Sequence, residues 1–247
     1  MKAYSKNYEK YEKNGKYINL DFSYLQDLAR LDMSFREIIL KMTIDIEHYL
    51  KVQILSESQK NERDDGYKIV EDFLSFNNDI KNKIITYSKQ QGYHADLIKT
   101  YQYTLPIWVF LEIISFGDLI KFYDFYNETY PFTNNVKQYL WSARILRNAT
   151  AHNSCILNRL TESFEDTKIN GTLMDILKKN YPYLGSKRIK MYLKNPVIQD
   201  FIDILILYSK LDKTKICSRR KNKKYTTPFI LKFFNTYFSF IQFTIKN

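Results

Sequence analysis

The chain has 247 residues, with 38 Lys+Arg against 27 Asp+Glu for a formal charge of +11, and it contains no Pro/Gly/Ser-rich linker. That size fits one large domain, with or without an extension, and the basic balance puts polyanions (RNA, DNA or an anionic membrane surface) first among electrostatic partners. Two cysteines, Cys155 and Cys217, exclude a disulfide scaffold. The charged start "MKAYSKNYEKYEKNGKY" has no apolar signal segment, and the longest apolar runs, broken by acidic residues, fall short of a membrane span, so the expectation is a cytoplasmic protein with no membrane part.

Gly and Pro are scarce, 6 and 5 residues, which favours long helices. From Tyr24 to Gln59 apolar residues recur at three- and four-residue steps (Leu28, Leu31, Phe35, Ile38, Ile39, Met42, Ile46), the pattern of one or two amphipathic helices. "NERDDGY" reads as a solvated turn, and "KIVEDFLSFNNDIKNKIITYSKQQG" as a helical pair broken near Asn77. "PIWVFLEIISFGDLIKFYDFY" places Pro106 in a first helical turn, Gly117 at a kink or close helix contact, and Trp108, Phe110 and Phe116 in the core. "NNVKQYLWSARILRNATAHNSCILNRL" reads as one helix, a polar stretch follows at "TESFEDTKING", and "TLMDILKKN" and "NPVIQDFIDILILYSKL" complete an all-α core, with Asn195 capping before Pro196. After the basic "SRRKNKKY", the segment "PFILKFFNTYFSFIQFTI" is aromatic and β-branched enough for a hairpin.

The stretch "WSARILRNATAHNSCILNRL" carries the chemistry. At about 100° per residue, Arg144, Arg147, Asn148, Ala151, His152 and Arg159 share one side of a helix, while Leu146, Ala149, Ile156, Leu157 and Leu160 fall opposite. Cleaving RNA by transesterification takes a base for the 2′-OH proton, an acid for the 5′-oxygen and a cation to hold the phosphorane. His152 suits proton transfer near neutral pH, Arg147 suits bidentate phosphate binding, and Asn148 suits orienting His152 or binding a phosphate or sugar oxygen. Arg144 and Arg159 read as RNA contacts, and Cys155 as lining the same face. The bland reading is a solvated basic face with one histidine. With His48, His94 and His152 far apart and no cysteine cluster, no metal or other cofactor is expected.

Arg-Asn-x-x-x-His, here Arg147, Asn148 and His152, resembles the signature of the HEPN superfamily of ribonucleases and RNA-binding domains. "LPIWVFLEIISFGDLIKFYDFY" is similar to the hydrophobic signature of bacterial abortive-infection (Abi) proteins, and "LDMSFREIILKMTIDIEHYLK" to that family's first core helix, with Asp32, Arg36 and the pair Ile46-Glu47. Many relatives have a second histidine after the first; this chain has Asn153.

The resemblance implies a HEPN-like helical bundle over residues 1–214, with a basic and aromatic extension at 215–247 of open role. It implies a metal-independent endoribonuclease that leaves a 2′,3′-cyclic phosphate, acting in phage defence or as the toxin of a toxin–antitoxin pair. The partners expected are RNA as substrate or bound regulator, an antitoxin protein or noncoding RNA, and a second copy of the chain, since acid and base roles want two histidines. The alternative is a non-catalytic RNA-binding HEPN protein. Glu47 reads as an ion-pair residue, and His48 and His94 as helix-surface residues.

Overall fold

The computed structural model describes residues 3–8, 10–11, 15–18, 20–102, 104–158, 162, 164–180, 182–183 and 185–212. Within them a short 3-10 turn at Tyr4–Asn7 precedes ten α-helices: α1 Phe22–Lys60, α2 Lys68–Phe76, α3 Asn78–Ser88, α4 Tyr93–Thr100, α5 Ile107–Ile113, α6 Phe116–Thr129, α7 Lys137–Ala151, α8 Gly171–Asn180, α9 Ser186–Leu193 and α10 Pro196–Asp212. The described chain is an all-α protein, and its one β-type pairing, Lys10 with Tyr17, is an isolated bridge. Arg159, Cys217, the boundary at 214/215 and the expected aromatic hairpin lie outside the described residues. The chain divides into two compact units, residues 45–140 and the remainder, 1–44 with 141–247.

In the unit 45–140, Phe73, Phe110 and Phe122 meet edge to face with ring centroids 4.9–5.8 Å apart, all three buried. Such pairs add about 0.5–1.5 kcal/mol each beyond the area they bury. Tyr123 and Tyr126 are buried with their hydroxyls used: Tyr126 donates to Asp64 Oδ2 at 2.9 Å, and the Tyr123 oxygen takes the Val136 N–H at 3.3 Å. Burial drives both phenols well above the usual tyrosine range. "NERDDGY" is therefore more than a solvated turn. Asp64 anchors Tyr126, Asp65 accepts the N–H groups of Tyr67 and Lys68 at the start of α2, and Gly66 takes a positive φ of 71°. The chain does break at Asn77, whose amide donates to the Phe73 carbonyl.

Between α5 and α6 the break falls at Ile114–Ser115, ahead of Gly117. Ser115 is extended, its Oγ accepts the Asp118 N–H and donates to Asp118 Oδ2, and this reciprocal cap fixes the start of α6. Phe110 and Phe116 are core residues as expected, but Trp108 is 49 % exposed, edge-on to Tyr101 at 5.3 Å. A seven-residue amphipathic helix has a wet face, and Trp108 stands on it. Glu47 pairs with Lys51 at 3.6 Å, and both His48 and His94 are exposed.

In the other unit, Asp21 caps α1 by accepting the Ser23 N–H at 2.7 Å, and Phe35 of α1 packs on Phe201 of α10 with ring centroids 4.8 Å apart. Asn195 caps α10, its Oδ1 accepting the N–H groups of Val197 and Ile198. Helices α8 and α9 close a smaller core of Leu173, Met174, Leu177, Ile189 and Leu193 with Ile202 and Ile206 of α10. Helix α9 has no counterpart in the sequence reading.

Two carboxylates of α10, Asp200 and Asp203, both lean on one hydroxyl of α7, Ser142. The Ser142 Oγ donates to Asp203 Oδ2 at 2.8 Å, while Asp203 Oδ1 is buried without a partner. Ser142 favours the charged form of Asp200, but burial outweighs it. Burial accordingly pushes Asp200 up to about 6, and the nearby Asp203 charge adds to the shift. An unfolded aspartate titrates near about 3.9, so this group favours the fold most below that pH, and the benefit is lost as the pH rises to about 6. Asp200→Asn should raise stability at pH 7 by roughly 1–2 kcal/mol and flatten the decline between about pH 4 and 6. Urea unfolding at a series of pH values checks this; an unchanged slope across that window would contradict the assignment.

Candidate functional site

The motif sits on the last turns of α7. Ser142, Ala143, Leu146 and Thr150 form the buried face, and the Thr150 hydroxyl donates back to the carbonyls of Leu146 and Arg147. On the other side Asn148, Ala151 and His152 are exposed, and Arg144 and Arg147 are half-buried. The structure therefore brings Arg144, Arg147, Asn148 and His152 onto one face, as the 100° spacing predicts. Arg144 lies over the Trp141 ring at 5.6 Å, a cation–π contact. The Asn148 Oδ1 accepts from Arg147 Nη1 at 3.5 Å, so in this conformation Asn148 faces the guanidinium, and its link to His152 is the backbone bond from the His152 N–H to the Asn148 carbonyl at 3.0 Å.

The helix stops short of the expected length. Asn153 adopts φ 53°, its N–H donates to the Thr150 carbonyl and the Ser154 N–H to the Ala149 carbonyl, the pair of bonds that closes a helix on a left-handed residue. Asparagine tolerates that conformation better than any residue but glycine. Asn153 is thus the C-terminal stop of α7. Consequently Cys155, Ile156 and Leu157 are not on the helix face: they follow the turn, and Ile156 and Leu157 are buried by a different device.

That device is Asp32 of α1, with 0 % of its surface exposed. Its Oδ1 accepts the N–H groups of Ile156 at 2.9 Å and Leu157 at 2.7 Å; its Oδ2 accepts from the Tyr4 hydroxyl at 3.0 Å and from Arg36 Nη1 at 2.5 Å. Arg36 Nη1 also reaches the carbonyls of Asn153 and Ser154, at 3.5 and 3.2 Å. From the N-terminal turn, the Asn7 amide donates to the Leu157 carbonyl at 2.8 Å. Burial and the Asp32 charge drive the Tyr4 phenol above its ordinary range and push the Cys155 thiol up to about 11. Burial thus disfavours the thiolate of the half-buried Cys155, the form a nucleophile needs.

Sequence reasoning singled out Asp32 and Arg36 without assigning them a task, and it missed Tyr4, Asn7 and the stop at Asn153. Among the described residues no group of three His, Cys, Asp or Glu side chains gathers to hold a metal ion, and no helix is long and apolar enough to cross a membrane.

The hub is testable by stability. Asp32→Ala strands the Arg36 charge and two buried N–H groups and should cost about 3–5 kcal/mol. Tyr4→Phe, which removes one neutral donor, should cost only about 1 kcal/mol. Asn153→Gly should be near neutral, whereas Asn153→Val, a β-branched residue at positive φ, should cost at least about 1–2 kcal/mol. Chemical denaturation gives all four values, and comparable costs for the Tyr4 and Asp32 variants would count against the charge as the organising element.

No curated protein and no solved structure matches the chain. Residues 1–158 match the family model described as Abi-like protein. The match takes in the N-terminal turn, the Asp32–Arg36 pair, all of α7 and the turn that closes it, and with that span the chain belongs to the Abi-like protein family.

Proposed function

We propose that this Abi-like protein is an endoribonuclease of HEPN type that acts in phage defence by abortive infection, as a toxin whose activity is restrained by an antitoxin protein or a noncoding RNA. The observation that carries the reading is the presentation of Arg147, Asn148 and His152 together on the solvent face of α7, over a helix end pinned by Asp32. Arg147 clamps the scissile phosphate and stabilises the charge of the phosphorane. His152 moves the proton, and Asn148, already within reach of the guanidinium, holds Arg147 and a phosphate or sugar oxygen in register. Attack by the 2′-OH needs neither a metal nor a covalent enzyme intermediate, and it leaves a 2′,3′-cyclic phosphate.

One protomer offers one such His152. A second copy supplies the other proton-transfer group when the two α7 faces meet about a two-fold axis. Trp141 and Ile145, 64 % and 40 % exposed, share the helix stripe of Asn148 and His152 and give that contact an apolar part. The arginines of the two copies repel unless an anion lies between them, so the cleft at the axis is basic and wet.

Arg147→Ala and His152→Ala should each lower RNA cleavage at least about a hundredfold while leaving the unfolding free energy within about 0.5 kcal/mol, because both side chains reach solvent. Cleavage should persist in EDTA. Normal cutting by the His152 variant would reject the catalytic assignment, and wild-type protein that binds RNA and leaves it intact would establish the non-catalytic alternative. For the two-fold site, the measurement is mass in solution beside activity: full activity from a strict monomer at nanomolar concentration would eliminate it.

A further inference from the structure

The charge of this chain is unevenly placed. Residues 1–158, the part that matches the family, carry 20 Lys+Arg and 20 Asp+Glu; residues 159–247 carry 18 and 7. The entire +11 therefore lies beyond the matched part; the described residues there carry 8 Lys+Arg and 7 Asp+Glu, and five of those eight cations fall in the α8–α9 pair. Lys178 and Lys179 close α8, Lys187, Arg188 and Lys190 lie in α9, and all five are exposed. No carboxylate occurs between residues 178 and 190, and among the described residues none of the five forms an ion pair.

A structural explanation accounts for only part of this. Lys178 and Lys179 stand at the negative end of α8, where cations stabilise a helix. Lys187 and Arg188 stand in the first turn of α9, the positive end, with no acidic residue in that turn and no side-chain cap from Gly185. There the macrodipole opposes them, and only five residues, 181–185, separate the two helices in the chain. Arg188 Nε donates to the Tyr192 hydroxyl at 3.2 Å, but among the described residues no carboxylate offsets these charges, whereas a ligand that brings negative charge does.

We infer that the exposed face of the α8–α9 pair is a phosphate-backbone grip for RNA, separate from the motif on α7 and independent of base sequence. It rests on the ribonuclease reading for the identity of the polyanion, and it holds the strand while the motif acts. A membrane surface fits less well. The apolar side of α9, Ile189 and Leu193, is already packed on Leu173, Met174 and Leu177, which leaves Met191 and Tyr183 as exposed large apolar side chains, too few for the broad apolar face that inserts between lipids. Charge without insertion suits a polyelectrolyte, whose condensed counterions are released when lysines and arginines replace them.

The test uses the full chain carrying His152→Ala, so that RNA stays intact, and a labelled single strand of roughly 30 nucleotides titrated by fluorescence anisotropy at several salt concentrations. Replacing Lys178, Lys179, Lys187, Arg188 and Lys190 with Gln should weaken binding tenfold or more near about 0.1 M salt and reduce the log–log salt slope by about 3. A charge-matched variant in the other unit, with Arg63, Lys68, Lys81, Lys89 and Lys99 changed to Gln, should shift affinity by no more than about twofold. Circular dichroism verifies folding, and the Lys187→Gln/Arg188→Gln double variant gives a milder second reading of the same slope. Equal losses in the two five-residue variants would overturn the inference in favour of bulk charge, and an unchanged affinity in the first would overturn it outright. Binding that depends on these five residues to vesicles of phosphatidylcholine with one-third phosphatidylserine, with none to RNA, would overturn it in favour of a membrane. Restoring His152 separates the two readings: wild-type protein that grips RNA through this face yet never cuts it leaves the grip standing and removes the nuclease.

Discussion

A single buried carboxylate organises the part of the chain that carries the motif. Asp32 has no solvent, and an isolated ion in that position costs several kcal/mol in lost hydration. Four donors offset the cost, and they come from three places in the sequence: Tyr4, Arg36 one turn along α1, and the backbone of Ile156 and Leu157 more than a hundred residues away. A carboxylate has about four acceptor sites, so none is left over. The parts of such a network are unequal: losing Asp32 strands the Arg36 charge and two N–H groups in a low dielectric, whereas losing the Tyr4 hydroxyl removes one neutral donor. The N-terminal turn, the first part of α1 and the segment after α7 are thereby tied to one carboxylate.

The benefit falls on the motif. Side chains that act on a substrate have to be exposed, and exposed residues at a helix end are the first to fray. Here the end of α7 is held from below: Arg36 takes the carbonyls just past the helix, Asp32 takes the N–H groups beyond them, and Thr150 bonds back into its own last turn. His152 and Arg147 can then face water on a backbone that does not move with them. In the proposed ribonuclease, positioning then comes from groups beneath the motif, which is the general arrangement of a preorganised site.

How much of this could be read from residues alone differs by kind of signal. The apolar rhythm of Leu28, Phe35, Ile39, Met42 and Ile46 announces α1, Asn77 and Asn195 announce a break and a cap, and the 100° rule places Arg144, Arg147, Asn148 and His152 on one face. The end of α7 was illegible for a definite reason. Ile156 and Leu157 continue the helical rhythm in sequence while being buried by Asp32 after a turn, so periodicity extends the helix past its true stop. The stop is marked by Asn153, a weaker sign than glycine. Contacts from a side chain to a distant backbone N–H leave no pattern at all, which is why Asp32 drew notice only by resemblance. Helix α9 shows just two buried apolar residues, Ile189 and Leu193, too few for a rhythm, and the exposure of Trp108 depends on which side of a short helix the rest of its unit covers.

The pairing inside the hub also shapes the field at the motif. No carboxylate occurs in the sequence between Glu128 and Glu162, so along α7 and its closing turn the local charges are Lys137, Arg144 and Arg147. Lys137 is engaged by Asp124 at 3.2 Å. Asp203 meets α7 at Ser142, and Asp32 meets the closing turn, where an unpaired anion would weaken the attraction of Arg147 for a phosphate in the proposed reaction. Arg36 prevents this: its guanidinium contacts Asp32 directly, so the hub carries no net charge while its hydrogen bonds remain in force. The same ion pair that lets Asp32 be buried keeps its charge from opposing that of Arg144 and Arg147. A hub built on an unpaired carboxylate would hold the turn equally well and spoil the site above it.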